Sequence, residues 1–153
     1  MNVVAWSQNM NAEAAQSANA QLVQKDQLFE QADIITIHLV LSNRTHGLVG
    51  ENELSKMKPT ARLINTSRGP IVDEQALINV LKGNRIAGAA IDVFDIEPLP
   101  LSHPFRQLEN VLATPHIGYV SQELYRTFYQ DCSASIQHWL DSLPQTSKRS
   151  GRD

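Results

Sequence analysis

From Leu63 onward four short pieces stand at or just after apolar runs, and three of them carry proline or glycine. The pieces are Asn65-Thr66-Ser67-Arg68-Gly69-Pro70, Ala90-Ile91-Asp92-Val93-Phe94, Asp95-Ile96-Glu97-Pro98 and Thr114-Pro115-His116-Ile117-Gly118. Each follows a run that reads as a buried β-strand or its exit. In an open α/β sheet, side chains at strand exits converge on one crevice. An arginine, an acid and a histidine delivered there can bind an anionic substrate and move a proton.

The rest of the chain alternates strands and helices in the same way. Val3-Val4-Ala5-Trp6 reads as a short buried strand, because it lacks alternation. Residues 11–20 are alanine-rich and suit a helix, and residues 25–31 suit a second, with Leu28 and Phe29 facing inward. Residues 33–38 form the next strand. A short helix over residues 51–57 ends before Lys58-Pro59, since proline restricts its predecessor. Residues 61–65 form another strand. Asp73 is placed to cap a helix through Lys82 whose apolar face carries Ala76, Leu77, Val80 and Leu81, with Gly83-Asn84 as its exit. Residues 87–93 are small and apolar, which suits a central strand approached closely by backbone or ligand. Val111-Leu112-Ala113 is the last strand. Residues 121–140 read as the longest helix, with Leu124, Phe128, Cys132 and Ile136 on one stripe. Cys132 is therefore expected in the core rather than as a reactive thiol.

Composition narrows the classes. Apolar residues make up 42% and charged residues 19% of 153 residues, which fits a folded domain rather than disorder. A net charge of −3 implies no general attraction to nucleic acid. No apolar run approaches a membrane span, and the start lacks a signal-peptide pattern. The single cysteine cannot form an internal disulfide and allows a reducing compartment. No Cys/His group has metal-ligand spacing, and neither a nucleophile elbow nor a Walker loop is present.

Over residues 3–140 the strand exits resemble the nucleotide-binding domain of D-isomer-specific 2-hydroxyacid dehydrogenases. The resemblance is to the later part of that domain, because no Gly-x-Gly-x-x-Gly fingerprint occurs in the chain. The expected fold class is therefore α/β: an incomplete Rossmann-like, doubly wound, mostly parallel sheet lacking the first β-strand and the glycine-rich loop. Residues 1–120 are expected to form the partial coenzyme-binding domain. Residues 121–143 form a C-terminal helix that in the family leads back to the catalytic domain, and residues 144–153 a flexible polar tail.

The resemblance assigns the sites. Arg68 matches the arginine that binds the substrate carboxylate, for which a guanidinium fork is suited. His116 matches the acid/base histidine and Glu97 its carboxylate partner. Asp92 matches a residue near the nicotinamide carboxamide. Thr66, Ser67 and Gly118 are expected beside the coenzyme. His38, at a strand exit, is either structural or near the coenzyme. Ser7 stands where a ribose-binding acid is common. Neither Ser7 nor Gln8 is acidic or basic, so the cofactor is NAD or NADP, with NAD favoured only by the family as a whole.

The implied function is reversible hydride transfer between NAD(P) and a small-molecule 2-keto or 2-hydroxy acid, impaired in this chain alone because the pyrophosphate grip is missing. The competing reading is a non-catalytic Rossmann-like remnant that dimerises or binds a partner. A cytoplasmic location and a homodimer are compatible with either, and no nucleic-acid or membrane partner is expected.

Overall fold

The computed structural model describes residues 1–143, so the polar tail expected at 144–153 lies outside the described residues. The chain divides into two units, residues 1–118 and the chain from Tyr119 onward.

In the first unit, β3 (Ile34–Ile37), β4 (Arg62–Asn65), β5 (Gly88–Ile91) and β6 (Val111–Ala113) form a parallel sheet in that order. Parallel neighbours need a crossover. Helix α3 (Glu51–Lys56) supplies it between β3 and β4, and α4 (Glu74–Lys82) between β4 and β5. A loop with a 3₁₀ turn at Pro104–Arg106 joins β5 to β6. The register pairs Ile37 with Asn65, Asn65 with Ile91, and Ile91 with Ala113. The last residues of all four strands thus stand side by side along one edge, and the chain leaves β4, β5 and β6 there.

Leu54, Leu63, Leu77, Val80, Leu81 and Ile86 are almost fully buried and form the centre of the core. Helix α4 follows the expected pattern: Asp73 Oδ1 accepts the Ala76 N–H at 2.9 Å, and the helix buries Ala76, Leu77, Val80 and Leu81. Beyond its end, Asn84 takes the left-handed backbone at φ 50°. The small side chains of β5 are explained at Gly88, where a Cβ would stand 2.6 Å from the Asn110 carbonyl oxygen.

A second, smaller ladder pairs β1 (Val4–Ala5) with β2 (Gln21–Leu22), with α1 (Ala12–Ser17) between them. Helix α2 (Lys25–Gln31) follows and buries Phe29. No ladder among the described residues joins β1 to β3. This corrects the buried strand expected at residues 3–6. The strand is only Val4–Ala5, both half-buried, and Val3 is exposed, because β1 has a ladder partner on one edge alone. The strand at Gln21–Leu22 was not expected at all.

Helix α3 is tied to α2 by a buried acid. Glu53 Oε1 lies 2.7 Å from Lys25 Nζ and accepts from Asn52 Nδ2, while its Oε2 accepts the Gly50 N–H at 3.0 Å. Burial alone would raise its pKa, but these bonds outweigh it and lower Glu53 to about 2. A depressed carboxyl stabilises the fold above its unfolded pKa and loses that contribution as pH falls through the folded value. Glu53→Gln should therefore cost on the order of 2–3 kcal/mol at pH 7, less whatever solvent screens at the Lys25 end, and little near pH 2. Denaturant unfolding at both pH values measures this; an equal cost at both would refute it.

In the second unit, α5 (Gln122–Ser142) is capped by Ser121 Oγ, which accepts the Leu124 N–H at 3.2 Å. Leu124, Phe128 and Ile136 do form a stripe, but all are exposed. Cys132 is exposed as well, correcting its placement in a core. The stripe has the period of a buried face, but among the described residues its own unit holds no second element to cover it.

Candidate active site

The turn after β4 is built by Asn65. Its side chain is buried: Nδ2 donates to the Arg68 carbonyl at 2.9 Å and Oδ1 accepts the Ser67 N–H at 3.1 Å. These bonds fold the backbone so that Arg68 stands exposed just past the strand. Arg68 Nη1 donates to the Ser67 carbonyl at 2.6 Å. Ser67 Oγ donates to the Ile37 carbonyl at 2.7 Å, tying this turn to the exit of β3. Gly69 then lets the turn lie against the Phe94 backbone, with no room for a Cβ.

The exit of β5 supplies two acids with different tasks. Asp92 is buried, and its carboxylate accepts three bonds from the chain beyond β6. Oδ1 takes Thr114 Oγ1 at 2.6 Å and the Ile117 N–H at 3.0 Å; Oδ2 takes the Gly118 N–H at 2.8 Å. Burial pushes the Asp92 carboxyl up, but these donors and the nearby His116 charge outweigh it and hold it below the usual range. In this structure Asp92 therefore folds the segment that carries His116.

Glu97 is the second acid. Its Oε1 accepts the Phe94 N–H at 2.9 Å, and its Oε2 lies 2.8 Å from His116 Nδ1. Partial burial raises its pKa, yet the bonds from His116 and Phe94, with the charges of His116 and Arg68, lower it overall. His116 itself has φ 55°, a backbone region that non-glycine residues rarely occupy. It is held there by its own N–H bonding the Thr114 carbonyl and by the Asp92 clamp on the next two residues.

Arg68, Glu97 and His116 thus share one edge of the sheet. A guanidinium, a carboxylate and an imidazole arranged this way can hold an anion and exchange a proton with it. Asp92 and Gly118 meet each other, and Ser67 meets the end of β3. Thr66 is exposed on the same turn. His38 is exposed just past β3, with Nε2 2.9 Å from Thr36 Oγ1. Ser7 lies past β1, on the other ladder; its carbonyl accepts the Met10 N–H at 3.2 Å. Sequence reasoning missed Asn65 and Thr114, both of which shape the site. Asn65 opens the turn motif, and that was its only signal. Among the described residues no group of three or more His, Cys, Asp or Glu side chains could hold a metal ion.

The family model described as "D-isomer specific 2-hydroxyacid dehydrogenase, NAD binding domain" matches residues 1–118, the extent of the first unit. The glyoxylate reductase of Thermofilum pendens is 49% identical over 105 residues, covering 69% of this chain and 31% of the relative. Glyoxylate/hydroxypyruvate reductase B of Yersinia pestis is 38% identical over 148 residues, 97% of this chain and 44% of the relative. The crystal structure of a phosphoglycerate oxidoreductase from Vibrio cholerae superposes with a TM-score of 0.85 at 33% identity, covering 94% of this chain and 46% of that one. The chain thus spans less than half the length of each of these relatives. With its strand order, its strand exits and these matches taken together, the chain belongs to the D-isomer specific 2-hydroxyacid dehydrogenase family, in the NAD binding domain.

Proposed function

We propose that the chain serves as the coenzyme-side half of an NAD(P)-dependent oxidoreductase that interconverts a 2-keto acid and a 2-hydroxy acid, an activity impaired in these 153 residues alone. The observation that carries it is the 2.8 Å bond between Glu97 Oε2 and His116 Nδ1 on a histidine with φ 55°. Backbone strain of this kind persists only where surrounding structure enforces it, and it clusters at working sites.

The coenzyme, when bound, supplies or accepts hydride. The residues fit its nicotinamide end: exposed Thr66 and His38 stand on the edge where β3 and β4 leave the sheet. Arg68 binds the substrate carboxylate through its planar fork. Glu97 holds Nδ1 of His116, so Nε2 is the nitrogen that gives a proton to the carbonyl oxygen on reduction and takes it back on oxidation. Asp92 keeps that histidine in place through Ile117 and Gly118. Ser7 offers neither an acid for the ribose nor a base for a 2′-phosphate, so NAD and NADP are both admissible, with NAD favoured by the family. The relatives point to a small substrate such as glyoxylate or hydroxypyruvate.

The test is a whole-length chimera in which this chain replaces the matching segment of the Yersinia pestis reductase. Turnover of glyoxylate or hydroxypyruvate that depends on His116 supports the reading; a folded, coenzyme-binding chimera without turnover sinks it. In that chimera Arg68→Lys should raise the KM for keto acid about tenfold or more while leaving the coenzyme Kd within about twofold, because a bidentate contact is lost. Equal damage to both constants would remove Arg68 from the substrate.

The non-catalytic reading draws on the open edges of β1 and β3 and the exposed stripe of α5. A homodimer in the cytoplasm is the arrangement we propose under either reading. A chain that self-associates but supports no turnover in the chimera favours the interaction protein.

A further inference from the structure

The segment between β5 and β6 carries Glu97 but contains no strand, so other contacts must fix it. Arg106 closes it on itself, donating to the carbonyls of Leu99 at 2.8 Å and Pro100 at 3.0 Å. Leu99 and Phe105 seat it in the core, and His103 ties it to α4. This imidazole is only 14% exposed, and its Nε2 lies 3.0 Å from Glu74 Oε1, in the first turn of α4. Its Nδ1 accepts the Phe105 N–H at 3.2 Å. A backbone N–H can only donate, so Nδ1 must keep its lone pair, and the proton sits on Nε2, donated to Glu74.

The contacts continue inward from there. The buried Phe105 ring lies 4.9 Å from the His103 ring and 6.3 Å from that of Phe94, which is also buried. The Phe94 N–H holds Glu97 Oε1, and its carbonyl lies against Gly69, next to Arg68. One packed path therefore runs from α4 through His103, Phe105 and Phe94 to Glu97. We propose that His103, seated on Glu74, is a positioning residue for Glu97: the pair anchors the 95–107 segment to α4 and fixes where Glu97 meets His116. The functional consequence rests on the acid/base reading above, but the positioning itself does not.

The test uses the full 153-residue chain and needs no activity. The readouts are the NMR titration of the Glu97 side-chain carboxyl and the exchange rate of the Phe94 amide. Glu74→Ala should move the Glu97 titration up, toward the ordinary carboxylate range, and speed Phe94 exchange about tenfold, the effect of losing one hydrogen bond to a charged acceptor. The direction is informative. Removing the Glu74 charge alone would move Glu97 down, if at all, so a rise reports lost position. Glu74→Gln keeps an acceptor for Nε2–H without the charge and should restore both readouts. His116 and Arg68 are the charges that act on Glu97, and Asp73, His46 and His103 act with Glu74 on neighbouring Asp95; His116, Arg68, Asp73, Asp95 and His46 remain in every variant.

His103→Asn retains an acceptor for the Phe105 N–H but cannot reach Glu74, so it should behave as Glu74→Ala does even if that variant fails to fold. Unchanged Glu97 and Phe94 readouts in His103→Asn would overturn the proposal. So would a wild-type His103 that carries its proton on Nδ1. A chimera without turnover but with these shifts would end the catalytic reading and leave the positioning intact.

Discussion

His116→Ala should lower turnover of the chimera by about 10²–10⁴-fold, the range supplied by one positioned acid/base group, with coenzyme affinity little changed. The expectation follows from where the side chain sits. His116 is carried at φ 55°, with Asp92 gripping the two amides that follow it. Alanine removes the imidazole and leaves that grip intact, so the loss is chemical rather than architectural. Glu97→Gln should be milder, because the single glutamine oxygen can still accept from Nδ1–H, though the Phe94 N–H then loses its acceptor. The substitution also removes the negative charge that favours a protonated ring. Reduction needs the protonated ring, so its pH optimum should move toward acid. Pre-steady-state coenzyme binding and pH–rate profiles separate the two effects. A glutamine variant with an unaltered profile would dissolve the proposed pair.

The second large effect should come from Gly69→Ala, a single methyl group. A Cβ at this position would overlap the carbonyl carbon and oxygen of Phe94 and stand 2.6 Å from the Asp95 nitrogen. Ordinary contacts lie well beyond these separations, and every atom met is backbone, so no rotamer change relieves the clash. Either the Arg68 turn or the β5 exit must move by on the order of 1 Å. Overpacking of this kind costs about 1–3 kcal/mol. Because Arg68 and Glu97 lie on opposite sides of the contact, the same shift should cost about 10²-fold in turnover. Gly50→Ala is the control: a Cβ there meets its nearest atom at 3.8 Å. Denaturant midpoints and turnover for the two variants decide the matter. If Gly50→Ala is as damaging as Gly69→Ala, close approach is not the cause.

Much of this site was legible because its residues are local to strand exits. Arg68, Glu97 and His116 fall within a few residues of β4, β5 and β6, and the parallel register alone brings those ends together. Helix α4 was legible from its cap and its apolar spacing. Other features depend on partners far along the chain. Asp92 was assigned by the resemblance to the neighbourhood of the nicotinamide carboxamide, and its bonds to Thr114, Ile117 and Gly118 are ones that no local pattern announces. The pairing of His103 with Glu74 spans 29 residues. Strand β2 is two residues long, too short for any periodicity to show. The stripe on α5 was read correctly as a stripe, but periodicity records that a face is apolar, not what covers it. That is why Cys132 was misplaced.

The separation of the two ladders has a consequence for cooperativity. The sheet β3-β4-β5-β6 holds the core and all three residues of the proposed chemistry, and each of its strands pairs with the next in sequence. The β1–β2 ladder has two residues a side and borrows nothing from that sheet's hydrogen bonds. A two-stranded ladder of that size is marginal in water. Within the described residues the two ladders therefore carry separate local stabilities, and the weaker can open without unfolding the stronger. The opening would expose the Ser7 side, where the resemblance puts the coenzyme's ribose, while the acid/base edge stays assembled. The proposed coenzyme selection and the proposed proton transfer would then fall on parts of this chain that lose their order separately.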